Sequence, residues 1–177
     1  AAAKTEGKTN LFLSPHSISS ALGMAYAGAR GETASQMRKT MHLELPDARV
    51  PEGFNYLDLQ LAARGRGAHG KDGKPFRLNI VNSLWGQKGF SFERDYLDTL
   101  ARNFGAGVNL VDFAQDGSRL AVNKWVDERT EGRIPSLLEE GSVGPDTRTV
   151  LVNAVYFNSG WKTPFEPALT SPGAFTK

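Results

Sequence analysis

The chain has no cysteine. Without a thiol it can build neither a disulfide scaffold nor a thiolate metal site, and it has no cysteine nucleophile. Histidine is scarce: His16, His42 and His69 lie in separate contexts without metal-ligand spacing. No apolar run nears the roughly 18 residues of a membrane span. A GxSxG elbow is missing, so a serine hydrolase has no local support. His42-Leu43-Glu44 matches the HxE of zinc deaminases, but that site also takes cysteines. There are no basic strands interleaved with aromatics, as single-stranded nucleic-acid binding needs. Scattered carboxylates leave a glycosidase pair open without favouring one. No cofactor, metal, nucleic acid or membrane is indicated as a partner.

The composition itself is that of an ordinary globular domain: 177 residues, 40% hydrophobic, 23% charged, net charge +2. At about 150 residues per domain, the length predicts one domain. A chain this long buries on the order of 70% of its unfolded surface, enough for a real core. The opening AAAKTEGKTN has no apolar signal core. Its mid-helix character predicts that the natural N-terminus lies upstream. Between Leu61 and Arg77, the bases Arg64, Arg66, Lys71, Lys74 and Arg77 face Asp72 alone. That cluster reads either as a solvated loop or as a patch for phosphate or sulfate groups.

Ser14 and Pro15 form a helix start, a capping hydroxyl followed by a residue needing no N–H partner. Ile18, Ala21, Leu22, Ala25 and Tyr26 then recur at helical spacing and predict a helix to about Ala27. A shorter helix through Met37 and Met41 follows, and Pro46 and Pro51 break the pattern after it. Asn55–Ala63 is again helix-like, and Gly65–Gly73 is loop by composition. Residues 76–85 alternate as a strand. Ser91 is placed to cap a helix through Tyr96, Leu100 and Phe104 that Gly105 stops. Val108–Phe113 reads as a short strand, and Ser118 begins another helix ending near Gly132 and Pro135. Thr149–Asn158 is apolar on both faces, the pattern of a central strand covered on both sides. Asn153 sits inside that run, where an unpartnered amide costs about 1–3 kcal/mol. The pattern predicts a mixed α/β or α+β protein with a large sheet and no dividing linker.

Gly65–Gly70 matches GxGxxG, and Gly65–Lys71 matches GxxxxGK. Such loops cradle phosphate only with a strand before and a helix after. Here the order is helix, loop, strand, and Asp72 stands where Ser or Thr would hold magnesium. A nucleotide-binding enzyme is therefore the weakest of the readings kept.

Three ordered stretches resemble the serpin family of protease inhibitors. They are Asn10–Ile18, continuing through Ala21, Leu22 and Met24 to Gly28-Ala29-Arg30-Gly31-Glu32-Thr33; Leu78–Trp85; and Val152–Phe157 with Gly160-Trp161. The resemblance implies an α/β serpin fold, helices around a large central mixed sheet, here incomplete. Residues 1–177 would be the N-terminal portion of a single serpin domain. Ser14–Ala27 would be its buried second helix, Thr149–Asn158 the third strand of the central sheet, and Ser118–Glu131 the helix across its front.

The implied function is inhibition of a serine, or cysteine, protease by suicide-substrate loop insertion into that sheet, with no enzymatic activity. A non-inhibitory binding or carrier protein on the same fold is the alternative. Ser14, Ser17 and Asn153 match the shutter where the sheet opens, or else serve as a helix cap and a satisfied core amide. Trp161 matches the breach at the top of the sheet, or else is a core aromatic. Asn158-Ser159-Gly160 departs from the usual Lys-Gly pair before that tryptophan. Hinge and bait loop are expected beyond Lys177, in a C-terminal half that would be this chain's partner. A half standing alone would expose the side of its third strand and aggregate. Sulfated polysaccharide at Arg64, Arg66, Lys71 and Lys74 is a further implied partner, and secretion the implied location.

Overall fold

The computed structural model describes residues 13–70, 73 and 75–174. Helix α1 (Pro15–Gly28) begins as expected: Ser14 Oγ accepts the Ser17 N–H at 3.3 Å, and Pro15 occupies the first turn. Helix α2 (Gly31–Thr40) follows, then a 3-10 turn at Asp47–Arg49 and helix α3 (Val50–Arg64). Pro51 does not break α3 but stands in its first turn, where a missing N–H is harmless. Strand β1 (Arg77–Gln87), helix α4 (Arg94–Phe104), strand β2 (Gly107–Val111), helix α5 (Asp116–Arg129) and strand β3 (Thr149–Asn158) complete the order. Glu93, rather than Ser91, is the residue before α4. Gly105 ends α4 at φ +57°, a left-handed turn that lets the Ala106 N–H reach the Leu100 carbonyl at 3.2 Å.

The sheet is mixed, in the order β2-β1-β3. β1 and β2 run parallel, with α4 as their crossover, and β1 and β3 run antiparallel. Leu84 faces Leu151 across the strands, Trp85 faces Val150, and Asn82 faces Asn153. Successive residues point to opposite faces, so the sheet divides two cores. On one face Leu84 joins Met24, Phe54, Leu100 and Phe104, with Leu151 packed against them. On the other, Trp85, Val152 and Ala154 pack with Val122 and Val126 of α5.

β3 is covered on both faces, as its apolar run indicates, and among the described residues it pairs along one edge, with β1. Apolarity on both faces reports helices above and below; it carries no information on whether both edges are paired. Of the predicted apolar face of α1, Tyr26 is buried and Ala21 and Ala25 are partly buried. Ser20, Gly23, Met24 and Tyr26 are buried, whereas Ile18 and Leu22 are 55% and 44% exposed. Small residues let this helix approach its neighbours closely, and a Cβ on Gly23 would stand 2.6 Å from Phe54 Cε2.

Gly23→Ala should therefore overpack the α1–α3 contact and destabilise the protein by about 1–3 kcal/mol. Urea denaturation of the intact protein should show a lower midpoint with an unchanged m-value.

Candidate functional site

The polar groups of the sheet gather where β1 and β3 cross α1 and the end of α4. Asn153 Nδ2 donates to Asn82 Oδ1 at 2.7 Å, and Asn82 Nδ2 donates to the Phe104 carbonyl at 2.9 Å. One relay thus ties β3 to β1 and β1 to the last residue of α4. Asn153 Oδ1 is buried and has no hydrogen-bond partner among the described residues, as is Ser20 Oγ on α1. Ser17 Oγ donates to Ser14 Oγ at 3.0 Å. The structure therefore forms two polar pairs, Ser14–Ser17 and Asn82–Asn153; no hydrogen bond joins them among the described residues. Ser14 does act as the helix cap, and Asn153 is a half-satisfied amide.

α5 lies over the opposite face and is held there by polar contacts at its middle and end. Asn123, 6% exposed, accepts from the Leu137 and Leu138 N–H groups at 3.0 and 2.8 Å. Its Nδ2 donates to the Leu138 carbonyl at 2.9 Å. That side chain fastens the segment after α5 back onto the helix. Buried Thr130 closes the helix end, donating to the Val126 carbonyl at 2.8 Å and accepting the Ile134 N–H at 3.1 Å. Arg77 of β1 donates twice to Glu131, at 2.8 and 2.6 Å, joining the sheet to the end of α5. At the other end, the Arg119 guanidinium bonded to Asp116 holds that carboxyl below its usual range.

Against the described residues Trp161 is 69% exposed, and it meets Phe165 edge-on, ring centroids 5.8 Å apart. Arg64 ends α3 and Arg66 lies in the following turn, both exposed; Lys71 and Lys74 lie outside the described residues. The glycines from Gly65 follow α3 and lead to β1, the reverse of a phosphate loop. His16 bonds Asp58 at 3.0 Å and His69 bonds the Gly67 carbonyl at 3.0 Å, at separate places.

Sequence reasoning missed Asn82, Ser20 and Asn123. Asn82 was legible in principle, since an amide in each of two apolar strands marks a cross-strand pair once their register is known. Ser20 and Asn123 carry no such signal, because a polar residue on a helix reads as solvent-facing until the helix is placed.

The family model for serpins (serine protease inhibitors) matches residues 1–177. The chain belongs to the serpin family. Leukocyte elastase inhibitor of Bos taurus is 39% identical over 168 residues, covering 94% of this chain and 42% of that protein. A solved structure of cleaved Serpin 42Da is 28% identical with a TM-score of 0.81, covering 94% of this chain and 42% of that one. Arabidopsis AtSerpin1 in its native stressed conformation is 26% identical with a TM-score of 0.81, covering 96% and 42%. The chain thus spans about 42% of the length of these serpins. The three-stranded mixed sheet with its helices is an incomplete serpin fold.

The Asn82–Asn153 relay should be energetically coupled. Asn153→Ala strips Asn82 Oδ1 of its donor and should cost about 1–3 kcal/mol. The double variant with Asn82→Ala should lose clearly less than the sum of the single losses, as a double-mutant cycle of urea midpoints will measure.

Proposed function

We propose that the protein to which this chain belongs inhibits a serine protease by taking a cleaved loop as an added strand beside β3. The observation that carries this reading is the asymmetry of β3. It pairs with β1 from Thr149 through Asn158 along one edge, and no described strand meets the other. Both faces of β3 are already covered, so what it offers a newcomer is a row of backbone donors and acceptors. Serpin loop insertion is a known instance of such strand addition. The polar Asn82–Asn153 relay and the unpartnered Asn153 Oδ1 support a shutter role for Asn153, with Ser14 and Ser17 as its neighbours in the family pattern. A place for Trp161 at the breach, and secretion, belong to the same proposal.

Incubation of the intact protein with a panel of elastase-like and other serine proteases, and cysteine proteases, tests the reading. The expected product is a protease complex that survives boiling in detergent. Cleaved inhibitor alone across the whole panel refutes it and leaves a serpin-fold binding or carrier protein. A sulfated polysaccharide at Arg64, Arg66, Lys71 and Lys74 is a separate element of the proposal. Neutralising all four should shorten retention on heparin, and unchanged retention removes it.

A further inference from the structure

β1 has an open edge of its own, on the side away from β3. β3 pairs with β1 from Arg77 to Gly86, but β2 joins it only from Ser83 onward. The stretch Arg77–Asn82 therefore turns one edge toward no described strand, over about 20 Å at the usual strand rise. The gap is built in: Asn82 Nδ2 holds the Phe104 carbonyl at 2.9 Å, and the turn at Gly105 then delivers Gly107 opposite Ser83 and no earlier.

A cavity of about 630 Å³ runs along this edge. Leu78, Asn79, Ile80, Val81 and Asn82 all line it. Consecutive strand residues point to opposite faces, so one cavity meets all of them only by following the edge. The facing wall is α3, through Asp58, Leu59 and Ala62, and the end of α5 closes one side. Natural edge strands are shielded by a charge, a proline or a bulge. Leu78–Asn82 carries neither charge nor proline, and the adjacent Arg77 is engaged by Glu131.

We propose that this edge is a docking site for an extended peptide segment of a partner protein, accepted as an added strand on β1. The walls narrow its chemistry. Asp58, Glu128 and Glu131 stand against Arg129, and Arg77 neutralises Glu131, which leaves an excess of carboxylate. His16 hydrogen-bonds Asp58 at 3.0 Å, and Lys124 approaches Glu128 only at 3.9 Å on an open helix face, a contact of little strength. The segment that fits has β-branched residues at alternate positions, one lysine or arginine, and no acid. The inference does not rest on insertion beside β3, which concerns the other side of the sheet.

The test uses the intact protein and a blocked hexapeptide, acetyl-Val-Thr-Val-Lys-Val-Thr-amide, with hydrogen exchange read by segment. The peptide should slow exchange within Leu78–Asn82 and leave Thr149–Asn158 unchanged. N-methylation of one alternate set of peptide amides should weaken binding about tenfold or more, and of the other set little, because only one set faces the strand. Leu59→Arg, on an exposed position of α3, should weaken binding by charge repulsion without altering the fold. No binding at millimolar peptide, equal tolerance of both methylated sets, or protection confined to β3 would each overturn the proposal. The last outcome would leave the inhibitory reading intact, so the two stand or fall separately.

Discussion

Backbone pairing along β1 is the constraint on which the other features depend. It is the one described strand with neighbours on both sides, parallel to β2 and antiparallel to β3. Its register decides which residues enter which core. With Leu84 opposite Leu151, both point toward α1 and α4, and with Trp85 opposite Val150, both point toward α5. A slip of one residue would send Asn82 into the α5 core and leave its amide without the Phe104 carbonyl. The Asn82–Asn153 pair thus acts as a register pin: buried amides are tolerable only where their partners lie, and those partners lie in one register.

The sequence showed the elements better than their surroundings. The α1 start at Ser14, the stop of α4 at Gly105 and the strand at Thr149–Asn158 are local facts, set by a cap, a left-handed turn and β-branched residues. They were legible for that reason. The inward face of α1 was legible in part: periodicity singles out Ile18, Ala21, Leu22, Ala25 and Tyr26, of which Tyr26 is buried, whereas the contact of Gly23 with Phe54 carries no periodic signal. The apolar run of β3 reports cover on both faces, and the packed helices supply it. Of the site, Ser14, Ser17 and Asn153 came from family resemblance, whereas Asn82 and Asn123 act through contacts many residues distant in sequence.

α5 gives the sheet its second constraint. Val122 and Val126 press on Trp85 and Val152, while Asn123 and the Arg77–Glu131 pair tie the helix to its following segment and to β1. These ties all lie within the unit formed by α5, β1 and β3. None crosses the outer edge of β3. A strand added beside β3 therefore leaves every one of them unbroken.

Under the proposed insertion beside β3, the ties within the unit of α5, β1 and β3 would all be kept. Opening a sheet by parting β1 from β3 would break a continuous antiparallel ladder and the Asn82–Asn153 bond together. Adding backbone outside β3, as proposed, breaks neither. The chain matches a cleaved serpin and a native stressed one with the same TM-score, 0.81 in each case. Under the proposed insertion the β1–β3 ladder would stay closed, and the change would fall at the edge of β3 alone.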